Sequence, residues 1–212
     1  GERLNQEASD QALSFLGALT GVLWMTISCF VFLELLILLG LSISLSLNTT
    51  LCLAFFTILF PYHANNYEGN LNLLTNLASL YFLFTHFKTK KNYFLFLSGI
   101  FSGLSLNGRD YSLLFIGCVL IFLFWKAIRE KSARGPIFFF LGFLPWFVLW
   151  GYYNWVRTGH FYLSVVANEI VSGRLDIRGP TGRLLDGLSG LLWSPGGSIF
   201  IYSPVLIFSF FG

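Results

Sequence analysis

The amino-acid sequence predicts an all-α protein, a polytopic transmembrane helix bundle of about seven spans with an external loop that contains interfacial helices. Two observations predict this fold. Of the 212 residues, 55% are hydrophobic and 11% are charged, whereas a soluble domain carries about 25% charged residues. The apolar residues also form blocks long enough to cross a hydrocarbon core about 30 Å thick. Residues 1–212 are therefore predicted to form a single transmembrane domain.

Seven hydrophobic segments follow one another along the chain, and each approaches the length of about 20 residues that a spanning helix needs. They are residues 14–40, 43–61, 68–87, 92–107, 110–127, 136–156 and 197–212. The Ser-rich stretch 41–48 fits either a tight turn or the start of the second helix. The long polar stretch 157–196 is predicted to be an external loop. Within it, residues 184–193 place leucines on one helical face, which indicates an interfacial helix.

The basic residues predict the orientation. Seven of the 13 lysines and arginines lie in the two short loops that follow the third and fifth segments. Short loops rich in Lys and Arg stay in the cytoplasm, so the other loops, including residues 61–68 and 107–110, are placed outside. Because the basic residues cluster at helix ends rather than along one face, the net charge of +3 does not indicate a nucleic-acid partner. The seven are Lys88, Lys90, Lys91, Lys126, Arg129, Lys131 and Arg134.

The external junction before the third segment carries several side chains capable of acid–base chemistry. Tyr62 and His63 precede Tyr67 and Glu68, which open the segment. Glu68 fits a helix cap that is favoured by the helix dipole, but a cap does not require an imidazole and phenols beside it. Together these groups could handle a proton, a sugar hydroxyl or a divalent metal. We therefore take Glu68 and His63 as catalytic candidates.

Three polar residues lie inside predicted spans. Glu34 is the only charged residue deep in a span, and its position near the cytoplasmic end favours a structural role over a functional one. Asn72 and Asn76 follow Glu68 at four-residue spacing, so this face should point into the bundle. A polar-lined pocket and interhelical hydrogen bonds would each explain the two amides.

The external cations near helix ends are arginines. Arg109 lies beside Asp110 in a very short turn, and Arg157 begins the long loop. An exposed ion pair or contact with lipid headgroups explains such residues without any further function. The guanidinium fork also suits a phosphate oxygen. Three more arginines lie further along the loop, at Arg174, Arg178 and Arg183.

Four stretches of the sequence resemble, in this order, the GT-C glycosyltransferases, the polytopic group that contains protein mannosyltransferases and the aminoarabinose transferase of lipid A. Two departures from the family pattern are Asp110, where the family usually has proline, and Gly197, where a basic residue is common. The stretches are residues 59–68 with the span ending 80–83, then 99–109, 151–159 and 193–204.

The resemblance implies transfer of a sugar from a polyprenyl-phosphate donor to a glycan, lipid or protein acceptor on the non-cytoplasmic side of a bacterial inner (plasma) membrane. On this reading Glu68 assists the acceptor or a metal, with His63 nearby. Arg109 and Arg157 bind the donor phosphate. The substrate contacts would also include two tyrosines, Tyr62 and Tyr202, the latter lining the donor groove. The sequence leaves open whether a divalent metal is required, and no cluster of His and Cys indicates a metal site.

Both ends of the chain look cut, so we expect a piece of a longer protein. The resembled family places its key acid in the first external loop. If residues 14–40 are the second helix, that acid precedes Gly1, and Glu2, Glu7 and Asp10 are the tail of the loop. The 212 residues alone are then expected to be inactive. A transporter or lipid flippase is the main alternative, but it calls for midplane polar groups and internal repeats. A structural membrane subunit is the third interpretation.

Overall fold

A computed structural model of the protein describes residues 2–57, 67–109 and 112–162, with side chains from Phe15 and Gly69 onward in the first two ranges. Every regular element in these ranges is an α-helix, which confirms the all-α prediction. Six helices coincide with the first six predicted segments. The seventh segment and the interfacial helix lie outside the described residues. The helices are α1 (Glu2–Leu38), α2 (Ile43–Phe55), α3 (Tyr67–Thr89), α4 (Asn92–Gly108), α5 (Ser112–Glu130) and α6 (Arg134–Thr158).

Three of the described helical segments are long and apolar enough to cross a membrane, as expected of an integral membrane protein. They are Phe15–Leu38 of α1, all of α5 and all of α6. The helix α2 is apolar but has 13 residues, and α4 has 17. The helix α3 has 23 residues and a length of about 34 Å, but three asparagines in its first half lower its hydropathy. The predicted number of seven spans therefore stays a prediction.

The first helix differs from the expectation for the N-terminal region. The resemblance implies that Glu2, Glu7 and Asp10 are the tail of a loop, whereas the structure has them in α1, which runs unbroken from Glu2 to Leu38. Extending an existing helix adds one hydrogen bond for each residue that is fixed, without a second nucleation step. The polar residues therefore continue the helix that the apolar residues after them establish.

The Ser-rich stretch 41–48, for which the sequence left open a tight turn or the start of the second helix, contains both. A turn follows α1, in which Gly40 has a φ of 95° and Leu41 donates a backbone hydrogen bond to the Leu36 carbonyl. Glycine adopts this left-handed conformation at helix C-termini because it has no Cβ. The side chain of Ser42 then accepts a hydrogen bond from the Leu45 amide at 3.4 Å and caps α2.

The chain folds into two compact units. The first contains Gly1–Thr50 and Pro61–Leu149, and the second contains Leu51–Phe60 and Trp150–Gly212. In the first unit, α3 packs along both α1 and α4. The buried apolar side chains of this unit form its core and include Leu35, Leu77, Leu83, Leu95, Leu106, Ile116 and Phe139.

Glycines allow α4 and α6 to approach closely within the first unit. A Cβ at Gly99 would overlap the Phe139 carbonyl, and one at Gly142 would overlap the Phe96 carbonyl. Gly103, one turn after Gly99, lies against the side chain of Trp146. Close backbone approach at small residues is a main source of helix association in membranes, where apolar burial alone gives no preference for protein over lipid.

Candidate functional site

Three helix ends of the first unit meet around one buried amide. The Nδ2 atom of Asn72, near the start of α3, donates to the Ser105 carbonyl at 2.9 Å and to the Ser112 hydroxyl at 2.8 Å. Ser105 belongs to the last turn of α4, and Ser112 is the first residue of α5. Asn72 is only 3% exposed. We call Asn72, Ser105, Gly108 and Ser112 the Asn72 junction.

The Asn72 junction determines where two predicted site residues lie. Glu68 precedes Asn72 by one helical turn on the same face of α3, because residues four apart share a face. Arg109 follows α4 directly, and a Cβ on Gly108 would lie 3.4 Å from the Asn72 amide nitrogen. The two backbone positions therefore lie at the same end of the α3–α4 pair.

The backbone holds Arg109 between two helices. Its amide donates to the Ser105 carbonyl at 3.1 Å, and its own carbonyl accepts from the Ser112 amide at 3.0 Å. The residue is extended, with φ −154° and ψ 131°, so α4 ends before it. Arg109 is exposed. The connection is short, as predicted, since α4 ends at Gly108 and α5 begins at Ser112.

The asparagine face of α3 points into the bundle, as predicted, and hydrogen bonding between helices accounts for it at Asn72. Asn76 extends the contact by donating to the Asn72 side-chain oxygen at 3.0 Å. The Oδ1 atom of Asn76 is itself buried without a hydrogen-bond partner in the described part of the chain. Asn70 adds a further link, since its Nδ2 atom donates to the Gly21 carbonyl of α1 at 3.3 Å.

A second polar cluster lies halfway along the same helices. Ser79 of α3 contacts the hydroxyls of Ser98 and Ser102 of α4 at 3.1 and 2.7 Å. All three side chains are completely buried. Small hydroxyl residues let two helices approach each other and satisfy one another across the interface. This cluster therefore holds α3 to α4 and leaves no polar atom facing an open space.

Arg157 lies in the second unit, in the last turn of α6. It is exposed, and its Nη1 atom donates to the hydroxyl of Tyr153, with the guanidinium carbon 5.2 Å from the centre of that ring. Arg157 is thus held by its own helix at the end of α6. Its predicted role beside Arg109 stays a prediction, because the two residues belong to different units.

The other predicted site residues lie outside what the structure describes. This holds for Tyr62, His63 and Tyr202, for the loop arginines and for the side chain of Glu68. Glu34 is described and exposed, four residues before the end of α1, where its carboxylate can reach interfacial water. Among the described residues no three His, Cys, Asp or Glu side chains are grouped to bind a metal ion.

Sequence reasoning missed a cavity at the opposite end of the first unit. About 240 Å³ in volume, it lies where α3 and α5 end and where α4 and α6 begin, and Lys90, Lys126 and Arg134 are among its lining residues. The signal for it was present in the basic loops, which were interpreted only as determinants of orientation. We call this end, with residues 86–95 and 123–136, the basic end.

Comparison of the chain with protein-family models, with curated proteins and with solved structures finds no match.

Proposed function

We propose that the protein is a membrane glycosyltransferase, which transfers a sugar from a polyprenyl-phosphate donor to a glycan, lipid or protein acceptor on the external face of a bacterial inner membrane. The observation that supports it best is the Asn72 junction, which brings the first turn of α3, bearing Glu68, to the end of α4, where Arg109 follows. A carboxylate and a guanidinium at one membrane surface are the two groups that such a transfer needs.

The reaction assigns a role to each group. Glu68 takes the proton of an acceptor hydroxyl as its oxygen attacks the anomeric carbon of the donor sugar. The bond between that carbon and the phosphate oxygen breaks, and the polyprenyl phosphate leaves with the electron pair. Arg109 stabilises the charge that develops on the departing phosphate. His63 lies five residues before Glu68 and assists the proton transfer.

The remaining candidates belong to donor binding in this proposal. Arg157 supplies a second cation, and Tyr62 and Tyr202 contact the sugar and its lipid carrier. The use of arginine rather than lysine at positions 109 and 157 favours an oxyanion ligand, because the planar guanidinium binds two oxygens of one phosphate at once. A divalent metal held by Glu68 would supply further positive charge to the phosphate.

The transporter alternative has less support. A transport site needs polar groups that line an accessible space near the bilayer midplane. Polar groups halfway along α3 and α4 include Ser79, Ser98 and Ser102, which are fully buried and joined by hydrogen bonds through Ser79. They are accounted for by helix packing, so they give no reason to prefer transport over group transfer.

Substitution of Glu68 in the full-length protein tests the proposal. Membranes containing the protein are supplied with labelled polyprenyl-phosphate sugars, and incorporation of label into acceptors is measured. We expect Glu68→Gln to lower transfer by about a hundredfold or more at an unchanged level of protein in the membrane. The matched control is Glu34→Gln, which also removes one acid and leaves transfer unchanged. Full activity of Glu68→Gln would contradict the proposal, and loss of the protein from the membrane would assign Glu68 a structural role.

A further inference from the structure

Residues at four helix ends line the cavity at the basic end, and they include both cationic and apolar side chains. Its cationic lining consists of Lys90 after α3, Lys126 in the last turns of α5 and Arg134 at the start of α6. Its apolar lining includes Leu95 and Leu123, which are almost completely buried. The cavity is therefore a small pocket lined by both cations and buried leucines.

One lysine is held at the cavity by two contacts. The Nζ atom of Lys126 lies 3.5 Å from the centre of the Phe87 ring and 3.7 Å from a carboxylate oxygen of Glu130. Its side chain is 22% exposed. A lysine placed against an aromatic face is attracted to it and partly desolvated. These contacts restrict the conformations of the Lys126 side chain and keep its ammonium group beside the cavity.

The backbone fixes a second lysine at the rim. Lys90 has a φ of 59° and follows the end of α3, where its amide donates to the His86 carbonyl at 2.7 Å. Lys131 has a φ of 50° after α5. Glycine is the usual residue in this left-handed conformation at a helix C-terminus. Lys90 and Lys131 adopt this conformation here, so the two tight turns, which precede α4 and α6, each carry a positive charge.

The charges around the cavity are unbalanced. Lys90, Lys126 and Arg134 face a single acid, Glu130, whose carboxylate is more than half exposed. Lys90, in the turn after α3, and Lys126, in α5, line the same cavity, so their like charges repel each other. An anion between them would relieve this repulsion and accept hydrogen bonds from both ammonium groups. The pocket therefore matches an anionic ligand.

Aromatic side chains extend from the cavity to the apolar surface of α5. The ring of Phe87, which lines the cavity, contacts Phe122 with ring centres 5.6 Å apart, and Phe122 is followed by Trp125 at 6.1 Å. Phe122 is 40% and Trp125 51% exposed. Because α5 is long and apolar enough to cross a membrane, this surface is expected to face lipid. A Trp at the membrane interface lies at the level of the headgroups, where its ring can contact the first part of the acyl chains.

We propose that the cavity at the basic end binds the phosphate group of an anionic membrane lipid, with the acyl chains along Phe122 and Trp125. Basic pockets between helix ends on the cytoplasmic side suit phosphate headgroups, and the volume of about 240 Å³ lies below the range of about 300–1,000 Å³ for drug-sized ligands. Free phosphate offers the same anion without the chains. This site lies at the opposite end of α3 and α4 from the Asn72 junction and does not rest on the proposed transferase activity.

Two double variants of the full-length protein test the proposal. The pocket variant is Lys90→Gln with Lys126→Gln, and the control is Lys88→Gln with Lys91→Gln, whose side chains are exposed and do not line the cavity. Both remove two charges from the basic end. Phosphatidylglycerol is titrated into protein in neutral detergent, and the bound lipid is measured by native mass spectrometry. We expect about tenfold weaker binding in the pocket variant and a change of less than about twofold in the control.

Equal losses of phosphatidylglycerol binding in the two double variants would show that the lipid is attracted by the surface charge in general, and this would overturn the proposed binding site. The single variant Lys90→Gln, in an exposed turn, serves as a second test if loss of Lys126 impairs folding, and it should weaken binding in the same direction.

Further measurements distinguish the source of the phosphate. Phosphatidylcholine should bind at least about tenfold more weakly than phosphatidylglycerol, and millimolar inorganic phosphate should not displace the bound lipid. Trp125→Ala should weaken phosphatidylglycerol binding, because the acyl chains lose a contact. Inorganic phosphate that binds as tightly and displaces the lipid would overturn the assignment to a membrane lipid and make the ligand a soluble phosphate.

Discussion

The two ends of the α3–α4 pair differ in how their polar groups are satisfied. At the Asn72 junction, the amide of Asn72 is buried and donates to two groups of neighbouring helices. At the basic end, the charges of Lys90, Lys126 and Arg134 border a cavity with one acid among them. Buried neutral groups that bond to each other fix the geometry of a fold, whereas unbalanced charges around a space attract a ligand. The difference indicates that the Asn72 junction fixes the positions of helix ends, whereas the basic end is suited to binding an anionic ligand.

The largest expected effect concerns the close contact between α4 and α6. Gly99→Leu should abolish close approach of α4 to α6, because the side chain would overlap the Phe139 carbonyl. We expect a loss of about 3 kcal/mol in the free energy of unfolding, at the upper end of the usual cost of overpacking, measured as a lower melting temperature in detergent. Gly117→Leu is the control, since a Cβ at Gly117 meets nothing within 4 Å. Equal effects of the two substitutions would contradict this packing.

The next effect sharpens the role of the junction. Asn72→Ala should cost about 1–3 kcal/mol of stability, because it leaves the Ser112 hydroxyl without a buried donor. Sugar transfer should fall as well, since the helix ends bearing Glu68 and Arg109 lose their common support. Asn107→Ala is the control: Asn107 also donates to two carbonyls, those of Gly103 and Trp146, but it is exposed to solvent. A larger loss of stability for Asn107→Ala than for Asn72→Ala would contradict the claim that the buried amide of Asn72 stabilises the junction.

A smaller effect is expected from neutralising the single acid of the cavity. Glu130→Gln should strengthen phosphatidylglycerol binding about fivefold, because one negative charge near the phosphate is removed. The measurement is the same lipid titration by native mass spectrometry. Glu34→Gln, which neutralises an exposed acid outside the cavity, should leave the affinity unchanged. Weaker binding by Glu130→Gln would mean that Glu130 matters mainly by holding Lys126 in place.

The smallest effect is expected in the serine cluster. Ser79→Ala removes the contacts of Ser79 with the hydroxyls of Ser98 and Ser102. Hydrogen bonds between membrane helices contribute about 0.6 kcal/mol on average, so the melting temperature should fall slightly and sugar transfer should persist. A complete loss of transfer with normal stability would instead favour a substrate pathway through this cluster and revive the transporter interpretation.

Much of the helical architecture could be predicted from the sequence. Apolar blocks bounded by charged or Ser-rich stretches predicted six helices, four of them within about three residues of their observed limits, because backbone groups in lipid must be bonded within a helix. The start of α1 was not predicted as helix, since residues 2–13 lack an apolar pattern and are helical by extension of the span that follows. The short turn at Arg109 was predicted correctly from the spacing of the apolar blocks.

The site could be predicted only in part. Helix alternation alone brings the start of α3 and the end of α4 to one side, but the bonds from Asn72 to Ser105 and Ser112 depend on helix rotation and distance, which the apolar pattern does not specify. The cavity was missed for a similar reason. Hydropathy identifies Lys90 and Lys126 as residues at helix ends, whereas their approach across a cavity depends on how α3 and α5 pack.

Sugar transfer by the Arg109→Gln variant of the full-length protein tests the central claim most directly. Membranes with the wild-type protein, Arg109→Gln or the control Lys88→Gln, which removes an exposed charge at the basic end, receive labelled polyprenyl-phosphate sugars, and labelled acceptor is measured. We predict transfer by the wild type and the control, and a loss of about a hundredfold or more for Arg109→Gln, because the departing phosphate loses its cation. Equal transfer by all three proteins, or none by the wild type with any donor, would contradict the account.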